Sequence, residues 1–331
     1  MAIAWPRFSE IIHAHQRFLL TSHIRPDCDA LGSELGMAGI LDALGKDVSI
    51  VNGHPTPPNL AAIDPQQRIL ALGQDIQPEQ LADAQVIMIL DTSAWAQLGP
   101  MGDVLRASQA KKIIVDHHVS ADELDAEPFK DTQAEATGTL VLQAAKQLDV
   151  PLTTEIANAL FAAIATDTGW FRFPSTSADT YRDAAALLDA GVRPESIYNQ
   201  LYEQDTVGRV RLRGVILARV TSELDGRLTH TYVLNEDFEH TGALPSDTED
   251  VINMTLAIAG TEFAVIFVQQ ATGGFKLSFR SRCAVQCSQI AEHFGGGGHK
   301  AAAGAFVDGE LDQVRPRVLD VLRDAMHKAA G

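Results

Sequence analysis

Acidic and imidazole side chains end four apolar runs of the sequence. The four groups are His23-Ile-Arg-Pro-Asp27-Cys-Asp29, Asp91 after VIMIL, Asp116-His117-His118 after KIIV, and Asp167 in Thr-Asp-Thr-Gly. Taken singly, an Asp after a strand is often the N-cap of a helix, and a lone His is usually an ordinary polar group. The His-x-x-x-Asp-x-Asp spacing and the Asp-His-His triplet are both rare, and together in one chain of 331 residues they favour a functional interpretation.

Carboxylates and imidazoles that meet at one edge of a sheet repel one another and lose hydration unless a cation neutralises them. Oxygen and nitrogen ligands of this kind suit Mn²⁺ or Mg²⁺, with Co²⁺ or Fe²⁺ as alternatives, and the number of candidate ligands favours a pair of ions. Two metal ions about 3.5–4 Å apart are a common device for phosphoryl transfer. The sequence therefore predicts metal-dependent hydrolysis of a phosphoester.

The order of the elements explains how these groups would meet. Over roughly the first 190 residues, strand-like runs alternate with helix-like segments, which predicts an α/β fold with a mostly parallel sheet flanked by helices. Strands are predicted over residues 18–24, 47–52, 86–91 and 112–116, and helices over residues 31–44, 139–148, 154–165 and 178–190. Pro26 argues against a helix, so the first cluster is expected in a loop after the first strand. Ligand sites of open α/β sheets form outside the carboxyl ends of strands, where the other groups are also expected.

A second, smaller α/β unit is predicted in the rest of the chain. Its strands are expected over residues 228–234, 263–270 and 275–282, and its helices over residues 248–259 and from about residue 311. The predicted domains are residues 1–190 and 211–331, joined by a partly helical linker over residues 191–210. Ligand sites often lie at domain interfaces, so an active site between the two domains is expected.

The segment GGGGHKAAAG, residues 295–304, is a candidate anion site. We expect a loop whose backbone N–H groups bind a phosphate or carboxylate at the start of a small-residue helix. The alternative is a flexible turn without a ligand. His299 and Lys300 follow the glycines directly, and Arg280 and Arg282 lie on the preceding predicted strand. These cationic donors favour the anion-binding interpretation.

Composition and charge restrict the partners. With 46% hydrophobic and 21% charged residues, the chain is an ordinary globular protein, and its net charge is −17. An acidic surface repels long polyanions, so long duplex nucleic acid is not expected as a partner, whereas a short anionic substrate is. No apolar run reaches the roughly 18–20 residues that cross a bilayer, and a cytoplasmic protein without membrane contact is expected. Cys283 and Cys287 are expected to pack on a helix rather than to form half of a zinc site.

Four motifs resemble those of the DHH phosphoesterase superfamily. They are HIRPDCDALG (residues 23–32), Asp91, Asp116-His117-His118 and Asp167-Thr-Gly. GGGGHKAAAG resembles the signature of its DHHA1 domain, so the resemblance extends over most of the chain. Within the superfamily, the chain is similar to the bifunctional oligoribonucleases and 3′-phosphoadenosine-5′-phosphate (pAp) phosphatases, or nanoRNases. This resemblance implies an N-terminal DHH domain and a smaller C-terminal DHHA1 domain. It also implies two Mn²⁺ ions, with Mg²⁺ or Co²⁺ as substitutes.

The resemblance also assigns roles to individual residues. One ion would be held by His23, Asp27 and Asp91, and the other by Asp29, Asp91, His117 and Asp167. Asp91 would bridge the two ions, Asp116 would orient the neighbouring imidazole, and His118 would contact the scissile phosphate. The rest of the nucleotide would be bound by Arg280, Arg282, Gly296, Gly297 and His299.

The implied activity is hydrolysis of short 5′-phosphorylated oligoribonucleotides to mononucleotides, of pAp to AMP and phosphate, or of both, in a chain that is often a homodimer. A RecJ-like single-strand exonuclease usually carries a further domain, for which 331 residues leave no room. A family II pyrophosphatase should lack GGGGHKAAAG. A phosphodiesterase for the linear dinucleotide pApA is not separable by sequence. A nucleotide-binding sensor would be expected to lack a metal ligand, and all six are present.

Overall fold

The computed structural model describes residues 3–119 and 122–330. The chain divides into two compact units, an N-terminal unit of residues 1–204 and a C-terminal unit of residues 205–331. The predicted α/β fold class, with a parallel sheet in the N-terminal unit and a second sheet in the C-terminal unit, is confirmed.

The N-terminal unit is built on a six-stranded sheet in the order β3-β2-β1-β4-β5-β6. Every neighbouring pair in it is parallel. Its strands are β1 Arg17–Thr21, β2 Asp47–Asn52, β3 Ile69–Ala71, β4 Val86–Leu90, β5 Lys111–Asp116 and β6 Glu127–Lys130. All five residues of β4 are buried, as expected for a central parallel strand covered on both faces. The strand order reverses between β1 and β4, which creates a crevice at the carboxyl ends of these two strands.

Helices cover both faces of this sheet. They are α1 Trp5–Ala14, α2 Cys28–Ala43, α3 Trp95–Leu98, α4 Met101–Ala107, α5 Thr137–Gln147, α6 Thr154–Asp167, α7 Ala178–Asp189 and α8 Pro194–Tyr202, with 3₁₀ turns at Pro58–Ile63 and Pro78–Leu81. On one face, the larger apolar core includes Phe8, Leu31 and Leu160. On the other face, Leu98 and Met101 pack with Ile87 of β4.

Helices α2 and α6 approach each other closely because glycine faces the contact. A Cβ atom at Gly32 would lie 2.4 Å from the Ala159 carbonyl oxygen, and one at Gly36 would lie 2.4 Å from Leu160 Cδ2. Without side chains at these positions, the two helices pack backbone against backbone. This contact fixes the N-terminal end of α2 relative to α6, and both helices carry candidate ligands.

The C-terminal unit has a second six-stranded sheet in the order β11-β12-β10-β9-β8-β7, in which only β8 and β9 are parallel. Its strands are β7 Thr221–Glu223, β8 Leu228–Val233, β9 Phe263–Gln269, β10 Phe275–Ser281, β11 Gly297–Gly298 and β12 Ala302–Val307. Its helices are α9 Val207–Ala218, α10 Asn235–Thr241, α11 Val251–Leu256, α12 Cys287–Glu292 and α13 Leu311–Ala330, with a 3₁₀ turn at Pro245–Thr248. Phe263, Phe267 and Phe279 form its core with Val318 and Leu322 of α13.

One segment differs from its sequence prediction. The prediction of a small-residue helix after the glycines of GGGGHKAAAG was wrong, because residues 302–307 form strand β12, which pairs with β10 and with the glycines of β11. Helix α8 occupies much of the expected linker, and its Ile197 is buried in the core of the N-terminal unit. Cys287 is buried at the start of α12, whereas Cys283 precedes that helix and is half-buried. Over residues 3–119 and 122–330, no helix is sufficiently long and apolar to span a membrane.

Candidate metal centre

The carboxyl ends of β1, β4 and β5 bring the candidate ligands of the N-terminal unit to one place. His23 follows β1, Asp91 directly follows β4, and His117 directly follows β5. Two helices complete the group, because Asp29 lies in the first turn of α2 and Asp167 is the last residue of α6. Asp27 precedes α2 as its N-cap, and its carboxylate accepts hydrogen bonds from the amides of residues 29 and 30.

The ligand atoms form three overlapping groups. Within each group the donor atoms lie within 4.8 Å of one another, and the groups are His23–Asp27–Asp91, Asp29–His117–Asp167 and Asp91–His117–His118. His23 Nε2 is 3.4 Å from Asp91 Oδ2. His117 Nε2 is 3.6 Å from the other oxygen, Asp91 Oδ1, and 3.6 Å from Asp167 Oδ2. The two oxygens of Asp91 therefore face two different imidazoles, which places this carboxylate between two potential cation positions.

Main-chain carbonyls set the tautomers of both imidazoles. His23 Nδ1 lies 3.0 Å from the carbonyl oxygen of Ile24, and His117 Nδ1 lies 3.1 Å from that of Ala134. A carbonyl oxygen only accepts hydrogen bonds, so each Nδ1 carries the proton and each Nε2 faces the carboxylates. Metal-ligating histidines are oriented in this way.

The electrostatics of His23 also fit a cation site. Burial alone lowers the pKa of His23, but the neighbouring carboxylates of Asp27 (3.8 Å) and Asp91 (3.4 Å) outweigh it and raise the pKa to about 11. In the absence of a metal ion, a proton on this imidazole therefore offsets part of the carboxylate charge. A divalent cation at the same position would displace that proton.

Helix α5 holds two of the carboxylates. The fully buried Asp29 accepts hydrogen bonds from the amides of Thr137 (2.7 Å) and Gly138 (2.9 Å) and from the Ser33 hydroxyl (3.2 Å). The Thr137 hydroxyl donates to Asp91 Oδ1 at 2.8 Å. Burial, with the charges of Asp91 and Asp167, nevertheless raises the pKa of Asp29 well above its usual range. The sequence interpretation missed Thr137 and Gly138, since nothing in their spacing connects them with the acidic motifs.

Asp116 holds His118. Its Oδ1 accepts hydrogen bonds from His118 Nδ1 (2.9 Å) and from the His118 amide (3.0 Å), and its Oδ2 binds Lys130 Nζ (2.8 Å) and the Ser93 hydroxyl. Burial raises the pKa of Asp116, but these hydrogen bonds outweigh it and hold the pKa well below its usual range. The hydrogen bond to Asp116 raises the pKa of His118. Ser93 and Lys130 were not among the predicted site residues.

The remaining predicted site residues lie in the C-terminal unit, on and beside the β11–β12 hairpin. Gly297 pairs with Gly304, and the His299 amide donates to the Ala302 carbonyl at 2.7 Å. Arg280 of β10 lies opposite Ala302 in the ladder, and Arg282 follows β10. Arg280 is half-buried, whereas Arg282 and His299 are exposed. A Cβ atom at Gly296 would lie 2.2 Å from the Gly304 carbonyl oxygen, so close backbone packing requires the glycine.

Comparison with known proteins agrees with both halves of this description. Residues 17–164 match the model of the DHH family N-terminal domain, and residues 225–328 match that of the DHHA1 domain. The bifunctional oligoribonuclease and PAP phosphatase NrnA of Thermus thermophilus is 32% identical over 312 residues, which cover 94% of this chain and 90% of that protein. The chain belongs to the DHH family. The predicted resemblance is therefore confirmed.

Two solved structures share the fold of this DHH-family chain. An exopolyphosphatase-related protein from Bacteroides fragilis superimposes with a TM-score of 0.84 at 25% identity, covering 98% of this chain and 95% of that one. A structure of the exonuclease RecJ bound to manganese has a TM-score of 0.54 at 15% identity, over 96% of this chain and 94% of that one. The second likeness concerns the fold alone.

Proposed function

We propose that the protein is a metal-dependent phosphoesterase that hydrolyses short 5′-phosphorylated oligoribonucleotides to mononucleotides, pAp to AMP and phosphate, or both. The observation that carries the proposal is the convergence of three further carboxylates and three imidazoles around Asp91. The similarity to a bifunctional oligoribonuclease and PAP phosphatase, over almost the whole of both chains, supports the choice of substrate.

The donor set suits two Mn²⁺ ions, with Mg²⁺ or Co²⁺ as substitutes, because oxygen and imidazole donors are combined. His23, Asp27 and Asp91 would hold one ion. Asp29, Asp91, His117 and Asp167 would hold the other. Two such ions supply an activated water and neutralise the charge that develops on the phosphoryl group.

The residues of this chain perform the rest of the proposed reaction. Asp116 remains ionised and keeps the His118 Nδ1–H directed towards itself, so the opposite nitrogen, Nε2, is available to the substrate. The hydrogen bond to Asp116 raises the pKa of His118, which favours the protonated form of the ring. We assign His118 the role of contacting the scissile phosphate and donating a proton to the leaving oxygen.

We assign binding of the rest of the nucleotide to the C-terminal unit. Arg282 and His299 offer exposed cationic or hydrogen-bonding groups beside the glycine hairpin, and Arg280 lies on the adjacent strand. The Gly296 amide donates to the Ala291 carbonyl at 2.8 Å and Gly297 pairs with Gly304, so these two glycines would let a phosphate approach the backbone closely rather than bind it through free amides. A short substrate agrees with the net charge of −17, which repels long polyanions.

The test is a panel of metals and substrates. The protein is stripped with a chelator, resupplied with Mn²⁺ or Mg²⁺, and offered pAp, a 5′-phosphorylated RNA dinucleotide, a long single-stranded DNA and pyrophosphate. Metal-dependent release of mononucleotide from the dinucleotide supports the proposal, with or without hydrolysis of pAp. Hydrolysis of pyrophosphate alone would contradict it.

Substitution of Asp91 by Asn tests the two-metal assignment. Asp91→Asn should reduce turnover at least about 100-fold and reduce the bound metal, because both proposed ions share this carboxylate. Asp103→Asn is the matched control, since the Asp103 carboxylate is 88% exposed and pairs with Arg106, three residues further along α4. Full Mn²⁺-dependent activity in Asp91→Asn would refute the assignment.

The long single-stranded DNA in the panel addresses the RecJ-like alternative. A RecJ chain shares this fold, so the fold alone does not separate the two activities. Preferential cleavage of the long strand would favour that alternative. A homodimer and a cytoplasmic location stay predictions.

A further inference from the structure

Aromatic side chains are scarce in this protein, but three of them pack together beside the end of α6, the helix that carries the candidate ligand Asp167. Aromatic residues make up 6% of the chain, which contains only four tyrosines. Two of the four, Tyr198 and Tyr202, lie one turn apart on α8 and pack against Trp170. We call these three residues the aromatic patch.

The three rings of the aromatic patch are mutually packed. The Trp170 ring centroid is 4.9 Å from that of Tyr198 and 5.9 Å from that of Tyr202, and the two tyrosine rings are 5.0 Å apart. Trp170 packs edge-on against Phe161 of α6, at 6.1 Å, which anchors the patch in the core. The outer rings remain accessible, with 41% of Tyr198 and 47% of Tyr202 exposed.

The aromatic patch adjoins the candidate ligands through two connections. Trp170 comes three residues after Asp167, and positive φ angles at Gly169 (57°) and Trp170 (56°) turn the chain back sharply after α6. Burial raises the pKa of Tyr202, and the Cys28 thiol, which lies between Asp27 and Asp29 in sequence, adds to the rise, so Tyr202 is close enough to Cys28 to interact with it electrostatically.

Exposed tyrosine rings of this kind contribute little to the apolar core, but they suit a nucleobase. Every base has a π-face, so stacking on an aromatic ring adds affinity without sequence preference and without positive charge. The second property matters here, because the net charge of −17 gives no general attraction for a nucleic acid.

We propose that the exposed rings of Tyr198 and Tyr202 form a stacking surface for a nucleobase of the substrate whose phosphate lies at the metal centre. This inference rests on the proposed function and adds a specificity-determining element to it. A phosphoester without a base would gain nothing from these rings.

The test compares a 5′-phosphorylated RNA dinucleotide with the same compound carrying abasic riboses. The variants are Tyr198→Leu and Tyr202→Leu, which keep apolar volume against Trp170, and Tyr202→Phe, which keeps the ring. Tyr181→Leu is the matched control, since Tyr181 is 57% exposed and stacks on Phe171 at 5.5 Å instead of joining the patch. Each leucine variant should lower kcat/KM for the dinucleotide about 10-fold, mainly through KM.

Three further results are expected. Activity on the abasic compound is unchanged, Tyr202→Phe behaves as the parent protein, and Tyr181→Leu has no effect. Equal losses on the dinucleotide and the abasic compound would show a structural role and overturn the proposal. An unchanged KM for the dinucleotide in both leucine variants would also overturn it.

A binding measurement separates this inference from the proposed function. Fluorescence titration of each protein with AMP and with ribose 5-phosphate, in the presence of Mn²⁺, needs no turnover. Tighter binding of AMP that is lost in Tyr202→Leu and kept in Tyr202→Phe supports the stacking surface, even if the dinucleotide is not hydrolysed. Equal binding of the two compounds by the parent protein would refute the stacking surface, even if the dinucleotide is hydrolysed.

Discussion

The contact between α2 and α6 provides a sharp prediction about Gly32. A Cβ atom at this position would lie 2.4 Å from the Ala159 carbonyl oxygen and 2.9 Å from Ala163 Cβ. A backbone oxygen and an alanine methyl have no alternative rotamer, so in Gly32→Ala helix α2 must move away from α6. Overpacking of this kind costs about 1–3 kcal/mol, and the higher helix propensity of Ala returns about 0.5–1 kcal/mol.

The expected result is a modest loss of stability and a larger loss of activity. A net cost of about 1–2 kcal/mol lowers the Tm of a unit of this size by about 2–8 °C. The movement also displaces Asp29 at the start of α2 from Asp167 at the end of α6. A misplacement of about 1 Å in a catalytic site can reduce the rate about 100-fold.

Thermal unfolding followed by circular dichroism, with chelator and with Mn²⁺, measures the stability. Single-turnover cleavage of the RNA dinucleotide at 25 °C, where the variant remains folded, measures the rate. The control is Gly214→Ala in α9, because a Cβ atom there meets nothing within 4 Å. That variant should be more stable by about 0.5–1 kcal/mol and fully active. A Gly32→Ala protein with the Tm and rate of the parent would show that the close contact does not position the ligands.

Three other substitutions test separate parts of the molecule. His118→Ala should lower the rate about 100- to 10,000-fold while metal analysis finds the parent's metal content; loss of an ion would instead make His118 a ligand. Burial raises the pKa of Glu34 from 4.5 to about 8, so between these pH values the folded state keeps a proton that the unfolded state loses. The free energy of unfolding of the metal-free protein should therefore fall as the pH rises from 4.5 to about 8, relative to that of Glu34→Gln. Equal pH dependence of urea unfolding in the two proteins would contradict this. At Gly298, φ is 144° and an added Cβ atom would lie 2.6 Å from Ala303 Cα. Gly298→Ala should therefore distort the hairpin and raise KM for the dinucleotide about 10-fold with little change in kcat. An unchanged KM would count against a substrate role for the hairpin.

The central strands could be predicted from the sequence because burial on both faces leaves a clear pattern. Strand β4 reads VIMIL, and each of its residues is buried. The edge strands β3 and β6 were missed. Strand β6 reads EPFK, with one buried residue in four, since an edge strand needs no continuous apolar run. The ends of the central strands were sufficient to locate the acidic and imidazole residues.

The supporting residues could not be predicted because tertiary contacts define them. The Thr137 hydroxyl reaches Asp91 across 46 positions of sequence, and the Gly138 amide reaches Asp29 across 109. Lys130 and Ser93 meet Asp116 only after β6 has paired with β5. The error over residues 302–307 has a similar origin, since small residues suit both a helix and a closely paired strand. Pairing of β12 with β10 selects the strand.

The arrangement around Asp29 would couple metal binding to folding. Carboxylate oxygens of Asp29 and Asp167 belong to one group within 4.8 Å, and at an effective dielectric constant of about 20 two such charges repel by about 3 kcal/mol. The α5 amides that bind Asp29 offset part of this cost, yet the pKa of Asp29 remains raised. The fold therefore holds its carboxylates together in a geometry that is favourable only when a proton or a cation shares the charge. A divalent ion bound there would relieve that repulsion in the native state and would have no comparable site in the unfolded chain, so its affinity would contribute directly to the free energy of unfolding.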